Sequence, residues 1–165
     1  MTFRILTQMS PEFSVDFLVA SGAVASIGRG VPTKSADAAG SATGVVAAMA
    51  DGEGSTSQNF TGIAKSVSTD TAAAAGRVTT WLPLPGIIYQ GKAKTASTAD
   101  TQAEVDALRR KRVVFDLTTS VWTIDAAATD AVANCVVIIG GDYRTQTLDF
   151  VYRPSGSFLD FAISA

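Results

Sequence analysis

Histidine is absent from the 165 residues, and cysteine occurs once, as Cys135. Without imidazole the chain lacks the commonest general base and cannot build a Ser-His-Asp triad, and most zinc and iron sites lose their usual ligand. A single cysteine forms no intramolecular disulfide and no thiolate cluster. Within Asn134-Cys135-Val136-Val137-Ile138-Ile139 it reads as a small buried hydrophobe. Charge is also scarce. Charged residues make up 17%, and 13 basic groups nearly cancel 15 acidic ones. Tight binding to a phosphate backbone comes from clustered Lys and Arg, so nucleic acid is not an expected partner. The one basic cluster, Arg109-Arg110-Lys111-Arg112, follows Glu104 and Asp106 and reads as a solvated helix end. No run approaches the roughly 18 to 20 apolar residues of a membrane span. Phe17 to Ala20 with Ala23 to Ala25 faintly resembles a secretory signal, but Pro11, Glu12 and Asp16 interrupt it, and cytoplasmic synthesis followed by assembly is the expectation.

A chain of this length can bury one self-sufficient core, so a single domain over residues 1–165 is expected. Residues 35–57 are rich in Ala, Gly, Ser and Thr and predict a long loop or arm carrying a short strand over Val45 to Ala50. Short runs of β-branched and aromatic residues follow, bounded by turn-forming clusters. They predict strands over Asn59 to Lys65, Arg77 to Leu82, Ile87 to Ala93, Val113 to Thr118, Val121 to Asp125, Val136 to Ile139, Thr147 to Arg153 and Phe158 to Ser164. Val136 to Ile139 does not alternate, which predicts a central strand covered on both faces and ended by Gly140-Gly141-Asp142. Pro83 and Pro85 force an extended, kinked link at a sheet edge or corner.

Thr101-Gln102-Ala103-Glu104 has the form of a capping box and predicts one short helix over about 102–110, with acids early and Arg109, Arg110 and Lys111 late, as the helix dipole prefers. The expected fold is mainly β: a compact antiparallel β-barrel or β-sandwich with that helix and an extended N-terminal arm or long loop. Residues 1–30 hold an apolar stretch, Phe3, Ile5, Leu6, Met9 and Phe13, that serves as a first core strand or as an arm docking on a neighbouring subunit, the arm being preferred.

The acids offer little catalytic equipment. Asp142, Asp149 and Asp160 include the paired carboxylates that glycoside hydrolysis would need, but nothing beside them raises one pKa and not the other. The form aliphatic-Asp-Phe recurs at Val15-Asp16-Phe17, Leu148-Asp149-Phe150 and Leu159-Asp160-Phe161, and reads as carboxylates on the solvent face of half-buried strands. Asp51-Gly52-Glu53-Gly54 and Gly140-Gly141-Asp142 lack the oxygen-donor count of a calcium loop. Gly28-Arg29-Gly30 is too short for a phosphate cradle. No catalytic, cofactor-binding or metal-ligating residue is expected, and the chain is not expected to be an enzyme. Trp81 and Trp122 lie in extended runs; a ligand platform is one use for them, and core or interface packing is the commoner one.

Phe60 to Ala64, the run Pro85 to Ala93, and Ile139-Gly140-Gly141-Asp142 before Thr147 to Val151 resemble the small head-decoration or cement proteins of tailed bacteriophages. The resemblance is one of style over about Asn59 to Ala165. It implies a compact β-barrel or β-sandwich, commonly trimeric, that sits on the capsid exterior and clamps adjacent major capsid proteins through arms or loops. On this reading the partners are the major capsid protein and sister subunits of a homotrimer, with no nucleic acid and no membrane. Phe3, Ile5, Leu6, Met9, Trp81, Arg109 and Arg110 are the candidate contact residues. The alternatives are another virion component, such as a tail-tube, head-completion or fibre-base protein, or a glycan- or receptor-binding β-module.

Overall fold

The computed structural model describes residues 3–5, 13–20, 27–36, 44–51, 60–84, 86–131, 134 and 136–152. Eleven strands lie among them: β1 Arg4–Ile5, β2 Ser14–Val19, β3 Pro32–Ser35, β4 Val45–Ala48, β5 Phe60–Ala64, β6 Gly76–Trp81, β7 Tyr89–Lys92, β8 Arg112–Thr118, β9 Val121–Asp125, β10 Val136–Asp142 and β11 Thr147–Tyr152. Among the described residues one α-helix, α1 Gln102–Leu108, separates β7 from β8. The mainly β expectation with one helix is what the chain adopts.

The strands form two units. One is a closed barrel, β2-β4-β3-β5-β6, sealed where β6 returns to β2 over six antiparallel pairs from Ser14–Trp81 to Val19–Gly76. On β2, Phe17 and Val19 turn into the barrel while Asp16 and Leu18 face out, the alternation that strand geometry imposes. Phe17, Val19, Ile27, Val46, Ala64 and Val78 fill the interior. Among the ladders of the described strands one departs from the antiparallel expectation: β2 and β4 run parallel, with Leu18 opposite Val45 and Val19 opposite Val46. Strand β3 lies in the stretch from Pro32, where the sequence offers little apolar signal. Its strand state is imposed by ladders on both sides, to β4 and to β5.

The second unit is a six-stranded sheet, β1-β7-β11-β10-β8-β9. It curls until β9 comes back to β7, where Ala93 bridges Ile124 and the Lys94 amide donates to the Ile124 carbonyl at 2.8 Å. The link through Pro83 and Leu84 is the crossover from barrel to sheet. The two units share one apolar mass. Phe60 of β5 stacks on Tyr152 of β11 with ring centroids 3.9 Å apart, and lies 5.9 Å from Phe115 of β8. The Tyr89 hydroxyl donates to the Leu82 carbonyl across the same boundary. Gly62, between these contacts, has φ 138° and packs so closely on β6 that a Cβ would run into the Trp81 carbonyl.

Helix α1 opens with the expected capping box: the Thr101 hydroxyl accepts from the Glu104 amide and the Glu104 carboxylate accepts from Thr101. Val105 and Leu108 are buried in the main core. The helix ends earlier than its charge pattern predicts. Arg109 has left the helical conformation and Arg110 has φ 71°, so the basic cluster stands beyond the last turn and does not complement the dipole there.

Strand β10 corrects a second expectation. It lies centrally, between β11 and β8, but does not stop at Ile139: a bulge between Ile138 and Gly140 resets the register, and Gly140, Gly141 and Asp142 pair with Asp149, Leu148 and Thr147. One face is fully covered and the other only in part, because Val136 and Ile138 are buried while Val137 is half-buried and Ile139 is 37% exposed. The strand expected over Phe158 to Ser164 and Cys135 lie outside the described residues.

The β8–β9 hairpin closes through Thr119 and Ser120, with Thr118 opposite Val121. Both turn residues have positive φ, 48° and 63°, as a type I′ turn requires. Neither residue is the Asn or Gly that takes this conformation at low cost. Replacing the pair by Asn-Gly is therefore expected to raise unfolding free energy by about 1 kcal/mol. Urea denaturation measures the change, and an unchanged or lowered midpoint would contradict the turn assignment.

Candidate functional site

The contact residues expected from the sequence do not converge. Phe3 is 3% exposed and packs on Phe115 and Phe150 at 5.0 and 5.3 Å, so it serves this chain's own core and not an outer surface. Ile5 lies in β1 opposite Tyr89. The arm reading thus gives way, at these residues, to a strand paired on the sheet. Leu6 and Met9 lie outside the described residues. Trp81 ends β6, half-buried, and packs against the main core from the barrel side. Trp122 is 4% exposed and belongs to the core outright, which removes it as a ligand platform. Arg109 and Arg110 are exposed past α1; Arg109 pairs with Asp106 at 3.0 Å, and the Arg110 amide donates to the Ile138 carbonyl.

The acids weighed for catalysis have structural employment. Asp142 accepts from the Arg144 amide in the β10–β11 turn, and Asp149 accepts from the Gln90 side chain opposite it, at 2.8 Å. Asp16 accepts from the Thr79 hydroxyl on the outer barrel wall. Asp160 lies outside the described residues. Among the described residues no group of three or more His, Cys, Asp or Glu side chains is placed to hold a metal ion.

The strongest polar cluster went unnoticed in the sequence. Lys94, just past β7, reaches across to the outer face of the β8–β9 hairpin. Its ammonium lies 2.7 Å from Asp116 Oδ1 and 3.1 Å from Asp125 Oδ2. The other Asp116 oxygen accepts from the Thr118 and Thr123 hydroxyls. Only 8% of the Asp116 side chain is exposed. Its burial pushes the carboxyl pKa up, the largest single influence, but Lys94 and the two hydroxyls together outweigh it and hold the group below the ordinary carboxylate range. Hydrogen bonds to Asp116 and then Asp125 hold the Lys94 ammonium above the ordinary lysine range. The cluster sits where β9 meets β7, and so pins the seam of the curled sheet. Nearby, Asp51 at the end of the β4 segment accepts from the Leu117 amide at 2.8 Å and ties the barrel side to the same hairpin. Asp116 and Asp125 share a face once the hairpin register is known, since Asp116 opposes Thr123 and Asp125 lies two residues further along. The long-range partner Lys94 leaves no comparable signal.

The large apolar side chains left in solvent include Val15 and Leu18 on β2, each 41% exposed. Leu18 stands beside the half-buried Val45 of the parallel neighbour β4, with Arg77 on its other side. Comparison with family models, with characterised proteins and with solved structures gives no match.

The clasp has a definite pH signature. Asp116, with a lowered folded pKa, contributes stability that is present above the unfolded value of about 3.9 and is lost as pH falls through the folded value. Lys94, with a raised folded pKa, contributes stability that is complete below about 10.4 and is lost as pH rises through the folded value. Asp116→Asn should cost about 1 to 3 kcal/mol at pH 7, the range for disrupting a buried hydrogen-bonded group. The gap to the parent should stay level through neutral pH and shrink in acid below about pH 4. Denaturation curves across pH measure it, and a gap that persists undiminished in strong acid would contradict the clasp.

Proposed function

We propose that this chain is a structural virion protein that decorates the exterior of a tailed-phage capsid and stabilises it by bridging neighbouring major capsid proteins. The observation that carries the reading is the outer barrel wall at β2. There Leu18 is 41% exposed beside the half-buried Val45, on a chain in which only 17% of residues are charged. Adhesion through shape and apolar area needs such a wall. The mainly β fold with its closed five-stranded barrel fits what the sequence resemblance implies, and Asp142 and Asp149 are engaged in hydrogen bonds of the sheet.

Mechanically, many copies each bridge adjacent capsomers, as a homotrimer in the proposed arrangement. Each contact can be modest, because multivalency on the lattice raises overall avidity. The lattice then resists the pressure of packaged DNA. The bridged state exists only on the assembled, expanded shell, where the two capsid subunits stand at the correct spacing.

Cosedimentation tests this directly. The chain is expected to pellet with mature, expanded heads and to bind free capsid subunits weakly, and Leu18→Asp should weaken head binding about tenfold or more, the effect of losing roughly 1.4 kcal/mol at a buried contact. Equal binding to heads and to free subunits would contradict the proposal. Copy number in purified particles separates it from a connector or fibre component, which would be scarce relative to the capsid protein.

A further inference from the structure

The barrel and the curled sheet are built on one plan. The barrel closes in the order β2-β4-β3-β5-β6, and the sheet, read from β7 through its seam, closes as β7-β9-β8-β10-β11, with β1 outside the ring. In each, the first strand meets the third in parallel and the fifth antiparallel. The register matches as well. Phe17 opposes Val78 as Gly91 opposes Leu148, and Ser35 opposes Val46 as Phe115 opposes Ile124. Thr33 opposes Gly62 as Val113 opposes Val136, and Ile63 opposes Trp81 as Val137 opposes Val151. One side-chain tie recurs at the matching place: Thr79 donates to Asp16 at 2.7 Å, and Gln90 donates to Asp149 at 2.8 Å. The chain therefore carries the same five-stranded unit twice.

The two copies of the unit are joined wall to end. Ala64 points into the first unit, whereas Ile63 and Phe60 point outward, with Trp81 beside Ile63, and enter the shared core. They cover the end of the second unit, where Tyr152 and Phe115 meet Phe60 and the Tyr89 hydroxyl reaches the Leu82 carbonyl. Both halves of this junction are repeated, and both repeats stand open. The wall positions Ile63 and Trp81 correspond to Val137 and Val151, which are half-buried, and beside them Ile139 at the β10 bulge is 37% exposed. The end positions Tyr89 and Tyr152 correspond to Val15, which is 41% exposed, and to the half-buried Leu82. Apolar surface left in solvent in this way marks an interaction face.

We infer that the outer β10–β11 wall is a docking face for the Val15 end of a second copy of this chain. The contact repeats, between chains, the junction that joins the two units within one. A second copy is the fitting partner because the surfaces left exposed are the two that the repeat pairs. Wall and end are different surfaces, so the contact is heterologous and copies associate head to tail. This holds whatever the protein's larger role and does not rest on the capsid reading.

Sedimentation velocity on the full-length chain, from micromolar to millimolar concentration, tests it, with Val15→Asp blocking the end and Ile139→Asp blocking the wall. The parent is expected to self-associate as concentration rises, and either substitution to weaken that association about tenfold or more. Mixed, the two variants should form a one-to-one complex that neither forms with itself, because each supplies the surface the other has lost. A parent that stays monomeric throughout overturns the inference, as does association indifferent to both substitutions, or a mixture in which no complex forms. Should an aspartate variant fail to fold, Val15→Ser or Ile139→Ser takes its place under the same outcomes, and the parent's concentration dependence stands as a test by itself.

Discussion

The stacking of Phe60 on Tyr152, extended by Phe115, Phe150 and Phe3, is the contact on which the rest of this fold depends. The barrel interior alone is small: Phe17, Val19, Ile27, Val46, Ala64 and Val78 supply little bulk. The curled sheet alone would expose the aromatic face that β5 covers. Each unit completes the other's burial, and aromatic pairs in offset or edge-on geometry add stabilisation beyond the area they bury. All five β5 residues are buried because the strand works twice, pairing with β3 and β6 in the barrel and packing onto the sheet.

Much of this was legible in the sequence where the physics is local. The capping box at Thr101 and Glu104 satisfies its amides within four residues, and the helix starts where that pattern says. Strands β5 to β9 and β11 follow their β-branched and aromatic runs closely. What escaped is what depends on distant chain. β3 has no apolar pattern of its own and is a strand because β4 and β5 offer it partners on both sides. The bulge at Ile139 carries β10 through two glycines that read as a stop, since pairing with β11 outweighs their low strand propensity. α1 stops two residues short of Arg110, whose backbone amide goes to Ile138, a tertiary bond no charge pattern shows.

The candidate contacts divide along the same line. Phe3 was noticed for its apolar character, but its burial depends on Gly91, which is 88 positions away. Lys94, Asp116 and Asp125 came together only through the curl of the sheet. The exposure of Leu18 on β2 follows from which face of a short strand turns inward, and so rests on the barrel's register. A chain of this kind shows in its sequence which side chains are apolar. Its topology decides which of them are left for a partner, and the proposed role in capsid adhesion draws on that remainder.

The most direct measurement of the central claim is residue-resolved hydrogen exchange on Phe60→Ala. If barrel and sheet stand on one shared aromatic core, amides of β6 and of β10 lose protection together and by similar amounts. Protection that falls in β6 while β10 keeps its parental value, or the reverse, would contradict the account by showing two units that are stable apart.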